Sequence, residues 1–142
     1  MKIEEQVLNI EQMKHLQELG VDTSDASMYW VRAKRIIGKQ RNNYLDNDMG
    51  KWRLSLSKSI VLPAAWALES LPTYTIGDLI EKLPKDVRNY DLQIHCDFNC
   101  LGYAAASDFE YSIEYDRLID GLYDLLCWVA ENHKELLEVR NE

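Results

Sequence analysis

Leu92-Gln93-Ile94-His95-Cys96-Asp97 and Phe109-Glu110-Tyr111-Ser112-Ile113-Glu114-Tyr115, with the helical run from Asp116 to Leu137 behind them, decide how this chain is read. In the first two runs apolar and polar residues alternate. A strand turns successive side chains to opposite faces, so each reads as a strand buried on one side only. Between them lie a tight connection at Asn99–Gly102, a shorter strand at Tyr103–Ala105 and a turn at Ser107-Asp108. After Tyr115 the period changes. Leu118, Leu122, Leu125, Leu126, Val129, His133 and Leu136 recur at three- and four-residue spacing, the stripe of an amphipathic helix. Gly121 within it costs about 1 kcal/mol of helix propensity relative to alanine, which points to close packing there.

Working outward, Thr75-Ile76-Gly77-Asp78 has the form of a helix start, with Thr75 as N-cap and Asp78 in the capping-box position. Ile76, Leu79, Ile80 and Leu83 supply its apolar face, and Pro84 closes it. Upstream, Pro63 is placed to open a short helix over Ala64–Leu68, which Pro72 must end. Trp52, Leu54 and Leu56 alternate with Arg53, Ser55 and Ser57, and Ala26–Ile37 is dense in β-formers, so both read as strands. The polar stretch Gly38–Gly50 joins them as a long hairpin connection. Ile10, Met13, Leu16 and Leu19 mark an N-terminal amphipathic helix that Gly20 is suited to end in a left-handed cap. Helix, two strands, helix, three strands, helix is an α+β order. It predicts one domain over residues 1–142 with two layers: a mostly antiparallel sheet of about five strands, helices on one face and a long C-terminal helix.

At 142 residues, with 46% hydrophobic and 28% charged residues, the chain has the size and composition of one globular domain. No apolar run approaches the roughly 20 residues that cross a bilayer, and Met1–Glu5 has no apolar core of a secretory signal. Cys96, Cys100 and Cys127 are an odd number of thiols in a chain of this size. The expectation is a reducing compartment, the cytoplasm, with no membrane association.

The net charge of −8 disfavours wholesale nucleic-acid binding, but it is unevenly spread. Val31–Ile60 holds eight basic residues against Asp46 and Asp48, a net of +6, so the remainder carries −14. Within and beside that segment, Trp30, Arg32, Lys34, Arg35, Arg41, Trp52 and Arg53 combine cations with indole rings. That combination suits phosphate and base contacts or an acidic protein surface, and these residues are the candidate partner-binding set. The plainer alternative is a solvated hairpin.

Other constellations carry less. His95, Cys96, Asp97 and Cys100 lie close in sequence, but a structural zinc site takes four nitrogen or sulfur ligands, and alternation turns His95 and Cys96 to opposite faces. No metal site or cofactor is assigned. Any of the three cysteines could pair with His15, His95 or His133 for nucleophilic chemistry, yet none has the flanking residues of a known nucleophile. No catalytic residue is assigned, and the reading leans away from an enzyme. The acids Asp116, Asp120 and Asp124, and Glu131, Glu135 and Glu138, fall at helical spacing and read as a solvated helix face. Tyr103, Tyr111 and Tyr115 could offer stacking rings for bases, but packing is the simpler role.

Three stretches carry a resemblance: Leu16-Gln17-Glu18-Leu19-Gly20-Val21-Asp22-Thr23-Ser24-Asp25-Ala26-Ser27-Met28; Leu71-Pro72-Thr73-Tyr74-Thr75-Ile76-Gly77-Asp78-Leu79-Ile80-Glu81-Lys82-Leu83-Pro84; and Leu118-Ile119-Asp120-Gly121-Leu122-Tyr123-Asp124-Leu125-Leu126-Cys127-Trp128 with Glu131-Asn132. In this order they resemble a family of small uncharacterised proteins carried by gut anaerobic bacteria and their prophages or other mobile elements. Lys34–Trp66 matches least. The resemblance implies a bacterial, phage-related accessory protein and brings no activity with it. The function expected is a non-enzymatic interaction module with an unknown protein partner. The alternatives are a nucleic-acid-associated protein using residues 31–60, and a small-molecule-binding protein or enzyme with a site between sheet and helix.

Overall fold

The structure is a computed structural model, and it describes residues 2–35, 51–57, 66–105 and 108–138. Its elements are α1 (Ile10–Glu18), β1 (Met28–Arg35), β2 (Arg53–Ser55), β3 (Trp66–Thr73), α2 (Ile76–Lys82), β4 (Asp86–Val87), β5 (Tyr90–His95), β6 (Cys100–Ala105), β7 (Asp108–Glu114), α3 (Leu118–Asn132) and α4 (Glu135–Glu138), with one 3₁₀ turn at Ile3–Glu5. The α+β class, the antiparallel pairing and the long C-terminal helix are as the sequence predicts. The strands differ in number and grouping. Among the described residues seven strands form two sheets, ordered β2-β1-β3 and β4-β5-β6-β7, where one sheet of about five was expected.

Local chemistry explains most boundaries. At α1, Asn9 Oδ1 accepts from Gln12 N at 2.8 Å, and Gln12 Oε1 accepts from Asn9 N at 3.0 Å. Thr75 and Asp78 make the same reciprocal pair at α2, both bonds at 3.1 Å. Gly20 ends α1 with φ +86°, the left-handed conformation that glycine adopts without a Cβ penalty. A hairpin that the alternation did not reveal joins β4 to β5 through Arg88 and Asn89. Both have positive φ, as a type I′ turn requires.

Two expectations are corrected. The helix foreseen over Ala64–Leu68 gives way to strand β3, which pairs with β1 from Arg35↔Trp66 to Met28↔Thr73; Ala64 and Ala65 lie outside the described residues. Alanine and leucine favour helix only weakly, and an eight-residue antiparallel ladder outweighs that preference. Pro72 sits inside β3 without breaking it: among the described residues β3 pairs only with β1, which leaves it a side that needs no donor. The C-terminal helix, foreseen to Leu137, stops at Asn132. His133 leaves helical geometry, and a separate turn of helix, α4, follows.

One hydrophobic cluster joins α1, α2, α3 and the β4–β7 sheet. At its centre Leu8, Met13, Leu16, Tyr74, Leu79, Leu83, Tyr103, Leu122, Leu125, Leu126 and Val129 have no exposed surface. The Leu122, Leu125 and Val129 stripe thus faces inward as its period predicts. At Gly121 α3 lies close against Tyr115 and the sheet residue Leu101. A Cβ there would stand 2.8 Å from Tyr115 Cβ and 3.0 Å from Leu101 Cδ2. No helix among the described residues is long and apolar enough to cross a membrane.

Candidate functional site

Of the eight basic residues of the segment, the described side chains are those of Arg32, Lys51 and Arg53. Trp30 is buried, and its indole Nε1 donates to the Leu8 carbonyl at 2.9 Å, so it is a tether and not a contact residue. Arg32 pairs with Glu69 and lies 4.4 Å over the ring of the half-buried Trp52. Arg53 is exposed on β2, opposite Val31. Lys34 and Arg35 continue β1, while Arg41 and the connection Gly38–Gly50 lie outside the described residues. Arg32 therefore spends its charge on the protein's own carboxylate and ring.

His95 shares a 2.9 Å hydrogen bond with Gln93 Oε1, Cys96 is exposed in the turn after β5 and Cys100 opens β6. Among the described residues no three histidine, cysteine or carboxylate side chains are grouped to hold a metal. His133 is buried against Trp128, with ring centroids 5.0 Å apart. Tyr103 is a core residue whose hydroxyl donates to Pro84 O at 2.8 Å.

A cleft of about 460 Å³ lies between α1, β7 and α3. It is lined by His15, Tyr111, Ile113, Tyr123, Asp124, Cys127, Trp128 and Glu131. Its floor is aromatic: Tyr111 stacks on Trp128 with centroids 4.5 Å apart and planes within 10°. His15 Nδ1 lies 2.6 Å from the Tyr123 hydroxyl and 3.7 Å from Cys127 Sγ. Behind this group Gln12 Nε2 donates to Asp120 Oδ1 at 3.1 Å, joining α1 to α3. Asp124 and Glu131 are exposed at the rim, seven residues and so about two helical turns apart.

Burial pushes the Cys127 thiol up to about 11, against the lowering effect of its Tyr123 contact and with a smaller push from Asp124 and Glu131. Burial and the same two carboxylates raise the Tyr111 hydroxyl, and burial followed by the Cys127 contact raises that of Tyr123. The Asp124 carboxyl is itself raised, by burial first and then by Asp120. Every shift opposes adding negative charge. A cysteine beside a histidine is what nucleophilic catalysis uses, but the nucleophile is the thiolate, and here the thiol keeps its proton at neutral pH.

A second buried polar group has a structural role. Lys82, 7% exposed, pairs with Asp25 at 2.9 Å and donates to Asp22 O at 2.9 Å, while the Tyr74 hydroxyl donates to Asp25 Oδ1 at 2.6 Å. These bonds pin Asp22–Asp25 to α2.

The cleft was only half legible in the sequence. Asp124 and Glu131 stood out as an acidic helix face, and Cys127 was paired with His15 as one option among several. Tyr123 and Trp128, set between those acids, were the unused signal. Nothing local places His15 next to Tyr123, 108 residues away. No protein-family model, curated protein or solved structure matches the chain.

Proposed function

We propose that the chain is a non-enzymatic interaction module whose α1–β7–α3 cleft receives a cationic group of its partner. The supporting observation is that Asp124 and Glu131 both line a cleft with an aromatic floor, in which the thiol and both tyrosine hydroxyls stay protonated. Carboxylates at the rim attract an ammonium or guanidinium, and ring faces and hydroxyl oxygens complete its contacts. The raised thiol favours recognition over nucleophilic catalysis. Three free cysteines support a cytoplasmic setting, and the resemblance of the three quoted stretches supports an accessory role in a mobile element.

Titration of the isotope-labelled protein with arginine amide and with N-acetylnorleucine amide tests this reading. Arginine amide should shift the Trp128, Tyr111 and Tyr123 signals at millimolar concentration, and the Asp124→Asn/Glu131→Gln variant should lose the effect. Equal shifts from N-acetylnorleucine amide, which carries no charge, would make the cleft an apolar pocket and refute the proposal.

A further inference from the structure

Strand β7 is the edge of its sheet: among the described residues it pairs only with β6. An edge strand presents a row of backbone donors and acceptors, and another extended chain can add to it. Long edges are often protected by lysine or proline. β7 has neither; it reads Asp108-Phe109-Glu110-Tyr111-Ser112-Ile113-Glu114, with three acids and no base. Glu114 and Ser112 are exposed, and Phe109 is 52% exposed. Among the described residues Glu110 is the one acid of β7 in an ion pair, with Arg88 at 3.5 Å.

The edge adjoins the cleft. Tyr111 and Ile113, on the face of β7 that packs towards the core, also line the cleft beneath Asp124 and Glu131. A strand added beside β7 would set alternate side chains towards these two carboxylates and the others beside Glu110 and Glu114. Opposite charges directly across a strand pair are favourable and like charges are not, so both faces call for lysine or arginine. A second β7 would bring acid against acid. From this juxtaposition, and resting on the cation reading of the cleft, we infer that the partner is a protein that docks an extended, basic segment as an additional strand on β7, with one of its lysine or arginine side chains in the cleft.

A fluorescent peptide matched in length to β7, alternating arginine or lysine with valine, tests both parts by anisotropy against the intact protein. It should bind more tightly than arginine amide and weaken with added salt. Methylating the backbone nitrogens that face one edge should weaken it about tenfold, because several pairing hydrogen bonds are lost, whereas methylating those of the other edge should not. Asp124→Asn/Glu131→Gln, both exposed and isosteric changes, should also weaken it about tenfold, as expected for two partly screened charge pairs. If both methylated peptides bind like the parent while arginine amide still fills the cleft, the edge docking is wrong and the cation reading survives. Failure of arginine amide and peptide alike removes both. Sedimentation showing a homodimer that the peptide must displace would assign the edge to a second copy and overturn the separate partner.

Discussion

The β4–β7 sheet and the β2-β1-β3 sheet are both antiparallel, yet they are held in different ways. The first is a meander in which each strand pairs with its sequence neighbour, and α3 seals it with Leu101, Tyr103 and Ala104 almost wholly buried. The second pairs Tyr29 with Ser55 on one side and Pro72 on the other, across much longer stretches of chain. Its buried apolar residues Trp30 and Val31 lie outside the main cluster, and Leu71 packs on it. Polar contacts also join the sheet to the core: Trp30 Nε1 and Thr73 Oγ1 both donate to the Leu8 carbonyl, and Leu8 N donates to Tyr74 O at 3.0 Å. Burial scales with apolar area, while each hydrogen bond adds only about 1 kcal/mol net. The lesson is that a charge counted in the sequence need not stay free in the fold. The smaller sheet spends Arg32 internally on Glu69 and Trp52, whereas the acidic, well-packed half holds the cleft and β7, which among the described residues pairs only with β6.

Substitutions in the two halves should separate them by size of effect. Leu122→Ala and Leu125→Ala should each cost about 2–5 kcal/mol, since both side chains are fully buried and a cavity would remain. Denaturant melts that overlay wild type would show that α3 is not what seals the larger sheet. Trp30→Phe removes the donor to Leu8 and trims the buried indole to a single ring, and about 1–3 kcal/mol should be lost, because Thr73 still satisfies that carbonyl. A loss as large as that from Leu125→Ala would mean that the smaller sheet is integrated as deeply as the larger one. Smallest of all is Arg32→Ala, below about 1 kcal/mol, as its side chain is 28% exposed and its ion pair is screened. If instead it unfolds the protein, the Arg32–Glu69–Trp52 group is a structural centre and the contrast fails.

Legibility followed the range of the interactions. The cap at Thr75, the turn at Gly20 and the α3 stripe could be read directly, because each depends on residues within a few positions of one another. The end of α3 could not. The apolar period runs on through His133 to Leu136, but His133 packs on Trp128 and its φ of −143° lies outside the helix. β3 was misread for a related reason. Ala67 and Leu68 carry a mild helical preference, and only their partners Lys34 and Ala33, more than thirty residues upstream, make them strand.

The sequence by itself determined the α+β class, the antiparallel character of the strands, the inward face of the last helix and the uneven distribution of charge. Period, cap chemistry and composition are local properties that survive without coordinates. Only the tertiary structure decided that the strands divide into two sheets, that Trp30 is buried, and that His15 meets Tyr123 and Cys127 beneath Asp124 and Glu131. Those are choices of partner between segments far apart in the chain. They follow from the burial and hydrogen bonding of the whole molecule, which no single stretch encodes.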